Sequence, residues 1–352
     1  MKRHDPVRLQ AMVTAIFQAC GSSGTEASII AQHLVTSNLV GHDSHGIVRV
    51  HKYVAWCQAG EVLANRHVEV TSDRGATLLV DGGFGYGQVI GLEAMDLLAE
   101  RARKNGFAAL AIRNSAHLGR IGAWPEQLAS AGLISVHFVN TSGYGILVAP
   151  HGGSDRRLSA NPIAAGAPRK NAPPLILDIA TSIIAEGKIQ MMRNKGEPLP
   201  HGAVVDGAGK PTTDPQAFYG PPPGAIFPFG GHKGSGLSFF CEVLAGSLSG
   251  GFASNPDSPT AGRLVNNMLS IAFDPDAFGG TQFFADDLAR LERWTTGSPP
   301  LDADKPVLLP GDIEARTRAE RHANGIPVDD TTWRQLSATA RALGLQPDDY
   351  RD

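Results

Sequence analysis

Apolar residues recur at helical spacing near the start of the chain. Asp5-Pro6 is typical of an N-cap followed by proline in the first turn, and Gly21 ends the pattern. The inward positions of this first helix are Leu9, Met12, Val13, Ile16, Phe17 and Cys20. Thr25 is the predicted cap of a second helix with an apolar face, and Ser44 is the predicted cap of a third that runs to Gly60.

Beyond residue 75 the pattern changes to short apolar strands that alternate with helices. Strands are predicted at 76–81, 107–113, 133–140, 175–178 and 268–273, and helices at 89–104, 122–131, 182–192, 234–248, 281–294, 312–324 and 331–343. The sequence therefore predicts an α/β fold in which helical terminal regions pack together around an inserted α/β region. The predicted boundaries are 1–70 for the helical N-terminal region, 71–310 for the α/β region, and 311–352 for the C-terminal helices.

The composition narrows the class of protein. The chain has 352 residues, of which 42% are hydrophobic, so it can bury a sizeable core. The net charge of −3 and the lack of a Lys/Arg stripe argue against a nucleic-acid partner. We find no signal peptide and no apolar run long enough for a bilayer, so we expect no membrane partner and a cytoplasmic location. The three cysteines show no paired spacing, which agrees with a reducing compartment.

The segment GHDSHGIVRV at 41–50 concentrates polar chemistry. If Ser44 caps a helix, His45 lies in its first turn, Arg49 follows four residues later, and Tyr53 lies one turn further on. Arg49 is suited to hold a carboxylate, and His45 to donate or accept a proton beside it, with Asp43 or Ser44 tuning the imidazole. From spacing alone, a capped polar surface helix explains the segment equally well.

A second candidate segment follows the strand at 107–113. Asn114 to Gly122 places His117 and two glycines between a strand and a helix, where open α/β sheets tend to build sites. From spacing alone, an ordinary solvent-exposed loop explains this segment equally well. His42-x-x-His45, joined by His117, also defines an alternative function, a metal-dependent hydrolase or lyase. The spacing alone offers no evident third ligand for that metal.

Two glycine clusters suggest phosphate binding without matching a known motif. The cluster at 82–87, GGFGYG, breaks the G-x-G-x-x-G spacing because residue 88 is glutamine, so we do not predict a Rossmann site. The cluster at 230–236, GGHKGSG, lacks the order of a P-loop, although Lys233 at a helix start suits a phosphate. The segment LLPGDIEAR at 308–316 predicts a tight turn before a helix.

Taken together, the chain resembles the malate/L-lactate dehydrogenase family, which is unrelated to the Rossmann-fold dehydrogenases of similar name. The resemblance rests on eight segments in chain order: HDSHGIVRVHKY, RNSAHLGRIGAW, APHGGSDRRLSANPIAAGAP, LDIATSIIAEGKI, DGAGKPTTDP, GGHKGSGLSFFCEVLAGSLSGG, LPGDIEARTRAER and GIPVD. Within the family, GHDSHGI, HLGRIGAW and DKPVLLPGD are most similar to the hydroxycarboxylate dehydrogenases.

The resemblance implies a nicotinamide enzyme, usually an intertwined homodimer, with a cofactor domain of its own topology. It implies hydride transfer between the nicotinamide and C2 of a 2-hydroxy or 2-oxo acid. His45 would be the general acid/base, Ser44 its relay neighbour and Arg49 the carboxylate clamp. His117 is a second candidate for the proton carrier; we favour His45 because Arg49 lies beside it. A non-catalytic relative would lack His45, Arg49 or Lys233, and all three are present.

The resemblance also implies the cofactor contacts. They are His45, Gly119, Arg120, Ile121, Leu177, Asp178, Ile179, Ala180, His232, Lys233, Asn267, Gly311, Asp312 and Ile313. These loops contain no arginine cluster for a 2′-phosphate, apart from Arg120, so NAD is expected over NADP.

The chain departs from the family at two positions. Many relatives read Gly-Thr-Asn-Pro where this chain has SANP at 159–162, so Ala160 lacks a hydroxyl. The imine-reducing branch has an aspartate where this chain has Lys188, which argues against a cyclic-imine substrate.

Overall fold

A computed structural model of the protein describes residues 1–260 and 262–350. Its α-helices are α1 Pro6–Ala19, α2 Gly24–Leu39, α3 Val50–Gln58, α4 Gly87–Asn105, α5 Ala123–Ser130, α6 Glu186–Lys195, α7 Pro215–Tyr219, α8 His232–Cys241, α9 Thr281–Thr296, α10 Asp312–Asn324 and α11 Asp330–Ala342. Its strands are β1 Lys2–His4, β2 Glu69–Asp73, β3 Thr77–Asp81, β4 Phe107–Ser115, β5 Ile134–Gly143, β6 Ile163–Ala167, β7 Leu175–Ile179, β8 Val204–Val205, β9 Pro211–Thr212, β10 Ala225–Ile226, β11 Leu264–Phe273 and β12 Ile326–Val328.

A seven-stranded mixed sheet forms the centre, in the order β2-β3-β4-β11-β5-β6-β7. Only β3 and β4 run parallel, and they are joined by α4; the other neighbouring pairs are antiparallel. Apolar residues of α4 and of the central strands, such as Met95, Leu98 and Leu110, share one buried cluster. The predicted α/β class is confirmed, since α4 and α5 cover this sheet with their apolar faces.

The two ends of the chain pack against each other, as predicted. β1 pairs antiparallel with β12, and one buried cluster joins α1, α2 and α3 to β12 and α11. In α1, Asp5 caps the helix by accepting from the Val7 and Arg8 amides, and the predicted inward residues Leu9 to Phe17 are buried. The domain boundaries at residues 70 and 310 stay a prediction.

Several strands were not predicted because their sequences carry weak strand signals. β6 reads IAAGA, which contains one β-branched residue, and its Gly166 is required because a Cβ there would lie 2.7 Å from Pro125. β8, β9 and β10 form a small sheet of two-residue strands, whose cluster includes Val148, Phe218 and Ile226. Such short strands are fixed by tertiary packing, so local periodicity does not reveal them.

Two of the predicted helices begin at a different residue. Ser23, rather than Thr25, caps α2 by accepting from the Glu26 amide. The helix predicted from 182 begins at Glu186, because the Ile183 amide donates to Phe227 O rather than to a helical carbonyl. The helix predicted over 234–248 is confirmed as one continuous helical segment, α8 followed directly by a π-helical turn, Glu242–Ser247. Among the described residues, no helix is both long and apolar enough to cross a membrane.

Candidate active site

The polar segment after α2 does not form the helix predicted from Ser44. It makes two 3-10 turns, Asp43–His45 and Ile47–Arg49, before α3 begins at Val50. The cause is Asn38 at the end of α2: its Oδ1 accepts from the Ile47 amide at 2.8 Å, and its Nδ2 donates to Asp43 Oδ1 at 2.6 Å. These side-chain bonds replace the helical ones, so α2 holds the loop at 42–49 in one shape. Because the family resemblance predicts the general acid/base in this loop, it is called the catalytic loop hereafter.

The catalytic loop requires glycine at 46. A Cβ built on Gly46 would lie 2.1 Å from Asn38 Oδ1. We expect Gly46→Ala to displace Asn38 from the Ile47 amide and to lower activity at least tenfold, because a small misplacement of reacting groups is costly. Steady-state kinetics and thermal unfolding check this, with Gly220→Ala as the matched control, since a Cβ at Gly220 would meet only the carbonyl oxygens of Gln216 and Ala217, at an ordinary 3.9 Å. Normal activity in Gly46→Ala would contradict it.

Helix α10, in the C-terminal region, contacts the catalytic loop from outside. Arg321 of α10 pairs with both carboxylate oxygens of Asp43, at 2.6 and 3.0 Å, and also donates to Asn38 O. Asp43 therefore contacts Asn38 and Arg321 and is a structural anchor. The sequence suggested that either Asp43 or Ser44 tunes the His45 imidazole. Ser44 is the one that lies within hydrogen-bond distance of it.

Two histidines from separate segments face each other beside the loop. The His45 and His117 rings are stacked, with centroids 5.6 Å apart and planes inclined by 12°. Ser44 Oγ lies 3.0 Å from His45 Nδ1, and Tyr53 Oη lies 2.6 Å from His117 Nδ1. Each ring is thus held at Nδ1 by a hydroxyl, which leaves Nε2 as the atom available for proton exchange with a ligand.

A glutamine completes the support of His117. Gln88, in the first turn of α4, donates from Nε2 to Tyr53 Oη and to His117 O, both at 3.2 Å. Because the Tyr53 oxygen accepts a hydrogen bond from Gln88, its own hydroxyl hydrogen can be donated to His117 Nδ1. Burial also raises the pKa of Tyr53 to about 12, so the phenol keeps this hydrogen at neutral pH.

The electrostatics favour uncharged imidazoles. Burial first, and the positive charge of Arg49 second, hold the pKa of His45 well below its usual value of 6.5, and the same two causes act on His117. Arg49 is oriented by its Nε, which donates to Ser44 O at 2.6 Å. Both rings are therefore proton acceptors at neutral pH, beside a fixed guanidinium.

The loop after β4 meets the end of β7. Gly119 has φ of +76°, and a Cβ there would lie 2.3 Å from His33 Nε2, which accepts from the Arg120 amide at 3.1 Å. Asp178 Oδ2 accepts from the Gly122 amide at 2.8 Å. A Cβ on Gly122 would touch both Arg120 Nη1, at 2.8 Å, and Asp178 Oδ2, at 2.9 Å, so these predicted cofactor residues converge.

Arg120 is the largest side chain in this region that is almost fully buried, at 1% exposure. Its Nη2 pairs with Glu126 Oε2 at 2.6 Å. Its Nε and Nη1 have no hydrogen-bond partner within residues 1–260 and 262–350. Burying a guanidinium with two unpaired donor atoms costs free energy. A hydrogen-bond acceptor supplied by a ligand at this place would therefore be favourable.

The start of α10 joins the same region. Ile176 donates to Pro310 O at 3.2 Å, a Cβ on Gly311 would lie 3.1 Å from Ile176 N, and Asp312 Oδ2 accepts from the Leu309 amide at 2.9 Å. A cavity of about 560 Å³ runs from Arg120 to this turn, and its wall includes His33, Gln88, Trp124 and Glu314. Ile313 follows with 61% of its surface exposed.

Other predicted cofactor residues have different surroundings. His232 and Lys233 open α8 after the positive-φ glycines 230 and 231, and the His232 ring lies 5.9 Å from that of His151. Asn267 is fully buried: its Nδ2 donates to Asn140 Oδ1 and Gly251 O, each at 2.9 Å, and its Oδ1 accepts from the Asn114 amide. The role of these residues in cofactor binding stays a prediction.

The two departures from the family lie near the site. Ala160 O accepts from the amide and hydroxyl of Thr181, each at 2.9 Å, so Thr181 supplies a hydroxyl in this neighbourhood. Lys188 lies in the first turn of α6, whose Gly187 packs on the loop: a Cβ there would lie 3.1 Å from Ser44 Cβ.

His42 does not contribute to a metal centre. Its Nε2 lies 3.2 Å from Glu314 Oε1, which ties the catalytic loop to α10. In the described part of the chain, no group of three or more histidine, cysteine, aspartate or glutamate side chains could hold a metal ion. The metal-dependent hydrolase or lyase hypothesis has no support.

Sequence reasoning missed His33 and Gln88. Burial, together with Arg120, lowers the pKa of His33 to about 3, and its ring lies 5.2 Å from Trp124. The sequence pattern that could have pointed to them is a polar residue next to an apolar position of a predicted helix. His33 precedes Leu34, and Gln88 precedes Val89. That signal identifies no partner, because both partners come from distant segments.

Comparison with known proteins agrees with this architecture. The family model for malate/L-lactate dehydrogenase matches residues 5–337. Hydroxycarboxylate dehydrogenase B of Escherichia coli K12 is 42% identical over 347 residues, covering 97% of this chain and 95% of that protein. L-lactate dehydrogenase of Cupriavidus necator H16 is 36% identical over 320 residues and 91% of each chain. The solved structure of sulfolactate dehydrogenase from Methanocaldococcus jannaschii superposes with a TM-score of 0.90 at 32% identity, covering 99% of each chain. The chain therefore belongs to the malate/L-lactate dehydrogenase family.

Proposed function

We propose that the protein is an NAD-dependent 2-hydroxycarboxylate dehydrogenase, with His45 as general acid/base and Arg49 as the carboxylate clamp. Family membership supports an oxidoreductase that acts on 2-hydroxy acids. The roles of His45 and Arg49 rest on one observation: the buried imidazoles of His45 and His117 are stacked beside the Arg49 guanidinium, which Ser44 O holds in place.

The residues around Arg120 fit a nicotinamide cofactor. The unused Nε and Nη1 donors of Arg120 suit an anionic or carbonyl acceptor, and the amides at the start of α10 suit a phosphate. When bound, the cofactor supplies or accepts the hydride at its nicotinamide ring. We favour NAD over NADP because Glu126 pairs with both Arg120 and Arg318, at 2.6 and 3.4 Å, and so offsets the charge that a 2′-phosphate needs.

The chain's own groups would manage substrate binding and proton transfer. Arg49 would bind the carboxylate through its terminal nitrogens, which places the C2 oxygen beside the histidines. In oxidation, neutral His45 would accept the hydroxyl proton at Nε2, with Ser44 holding Nδ1. In reduction, the bound carboxylate would offset the charge of Arg49, which favours protonation of the same imidazole. His117 stays the second candidate.

The decisive test is absorbance of the reduced nicotinamide. Purified protein is mixed with NADH or NADPH and with pyruvate, oxaloacetate or phenylpyruvate in turn. We expect signal loss that depends on both enzyme and acid, and that is faster with NADH. No loss with any acid, together with no NADH binding by fluorescence titration, would refute the proposal.

The lowered imidazole pKa predicts an unusual pH profile. A general base must be uncharged, and burial and Arg49 keep His45 uncharged below its usual pKa of 6.5. We therefore expect kcat/KM for oxidation of a 2-hydroxy acid to stay flat as the pH falls from about 8 to about 6.5, and to decline only below that range. Initial rates with saturating NAD measure this; a decline centred at or above pH 6.5 would contradict it.

We also propose that the protein is a cytoplasmic homodimer. The support is an exposed apolar face on α8 and the turn that follows, where Phe239 and Phe240 are each 61% exposed and Leu248 is 65% exposed. Contiguous exposed apolar surface is typical of an interaction site. Light scattering after size exclusion would test this state.

A further inference from the structure

A closed set of hydrogen bonds surrounds the His117 side chain. Gln88 Nε2 lies 3.2 Å from both His117 O and Tyr53 Oη, and Tyr53 Oη lies 2.6 Å from His117 Nδ1. A backbone carbonyl oxygen can only accept, so the Gln88 atom that faces His117 O must be the amide nitrogen. The second hydrogen of that nitrogen is then donated to Tyr53 Oη.

The position of the Tyr53 hydroxyl hydrogen follows from the same bonds. Tyr53 is 2% exposed, and within residues 1–260 and 262–350 its hydroxyl forms hydrogen bonds only with Gln88 and His117. If His117 Nδ1 carried a hydrogen, both neighbours would donate to Tyr53 Oη, and the hydroxyl hydrogen would be buried without an acceptor. That loss costs free energy. The arrangement that pairs every hydrogen therefore has Tyr53 donating to an unprotonated Nδ1.

Packing holds these groups against His117. The Tyr53 ring stacks on Trp56, with centroids 5.6 Å apart, and meets the His117 ring edge-on at 5.9 Å. Gly87 lets the first turn of α4 approach the His117 backbone, because a Cβ at residue 87 would overlap His117 O. Gln88 follows directly in that turn. The hydrogen-bond pattern is therefore set by the fold before any ligand binds.

The pattern fixes which nitrogen of His117 carries a hydrogen. Burial and Arg49 hold the pKa of His117 well below 6.5, so its ring is uncharged at neutral pH. An uncharged imidazole carries a single hydrogen, and a ring that accepts at Nδ1 carries it on Nε2. In the described part of the chain His117 hydrogen bonds only through Nδ1 and its carbonyl oxygen, which leaves the Nε2 hydrogen for a ligand.

Resting on the proposed function, in which the C2 oxygen of the acid lies beside the two histidines, we propose that Tyr53 and Gln88 are positioning residues that hold His117 in its Nε2–H form, and that His117 donates a hydrogen bond to the C2 oxygen. His117 keeps its proton throughout, while the proton of the reaction moves between the C2 oxygen and His45 Nε2. A preset donor stabilises the negative charge that develops on that oxygen.

Nitrogen NMR of the full-length protein, labelled in its histidine rings and free of cofactor and substrate, reads the tautomer. At neutral pH we expect a pyridine-type signal for His117 Nδ1 and a pyrrole-type signal for Nε2, assigned by their loss in His117→Gln. Tyr53→Phe and Gln88→Leu should each move the two signals toward each other. Tyr86→Phe is the matched control, because the buried Tyr86 hydroxyl has no nitrogen or oxygen partner among the described residues.

Kinetics with NADH and a 2-oxo acid tests the role of the donor. Glutamine donates a hydrogen bond but takes up no proton at neutral pH, so His117→Gln should keep a several-fold higher kcat than His117→Ala. At His45, where a proton must move, glutamine should be no better than alanine. Tyr53→Phe should lower kcat about tenfold, with NADH affinity unchanged by fluorescence titration.

The native spectrum alone can overturn the proposal, since it requires no variant to fold: a pyrrole-type Nδ1 on His117 would do so. An unchanged tautomer in Tyr53→Phe, or an equal kcat in His117→Gln and His117→Ala, would also show it to be wrong. If the expected spectrum is found but no 2-oxo acid is reduced with either nicotinamide, the proposed function fails while the positioning of His117 by Tyr53 and Gln88 stands.

Discussion

Replacing His45 by alanine is expected to lower kcat by about 10²- to 10⁴-fold, which is the usual contribution of a positioned acid/base group. The imidazole is buried, held at Nδ1 by Ser44, and stacked on His117 beside Arg49. Its loss removes the proton acceptor while the turns that shape the loop remain, because those rest on Asn38. Affinity for NADH, measured by fluorescence titration, should change little.

His117→Ala is the informative comparison for this prediction. In our assignment His117 stacks on His45 and does not itself exchange the proton, so its loss should cost less turnover than the loss of His45. Ser44→Ala should cost less still, since it removes only the Nδ1 partner. If His45→Ala keeps near-normal kcat while His117→Ala abolishes it, the proton carrier is His117, and the hydroxyl that positions it is that of Tyr53.

Features with a local cause were predictable from sequence. Asp5-Pro6 caps α1, and Gly106 ends α4 in the left-handed conformation, because both depend on residues within one helical turn. The packing of the two ends followed from their apolar helices. The candidate catalytic residues were identified by resemblance, since spacing alone did not separate His45 from a residue on a polar surface helix.

Features with a distant cause were not predictable. The break in the helix at residues 43–49 depends on Asn38 reaching the Ile47 amide, which no periodicity reveals. The supports of His117 come from α3 and α4, and the clamp on Asp43 comes from α10, 278 residues away. In each case the sequence displays one partner in an unremarkable context, and only the folded chain brings the second partner to it.

Replacing Arg49 by alanine is expected to raise KM for 2-oxo acids about 10- to 100-fold, because a charge-assisted bond to the carboxylate is lost. Cofactor affinity, measured without substrate, should be nearly unchanged. Arg49→Lys is the matched control: it keeps the charge but lacks the planar fork and the Nε donor to Ser44 O, so its KM should lie between the other two.

The pH dependence of kcat/KM in the Arg49 variants distinguishes a role of Arg49 in binding the carboxylate from a role only in positioning Ser44. Arg49 is the second cause that lowers the pKa of His45, after burial. Its removal should raise that pKa toward the usual value, so the acid-side decline of kcat/KM for oxidation should move to higher pH in Arg49→Ala and much less in Arg49→Lys. A fall in kcat with unchanged KM and an unshifted profile would show instead that Arg49 only orients Ser44. A raised KM with a shifted profile is the result expected if one guanidinium both binds the carboxylate and keeps the neighbouring imidazole uncharged.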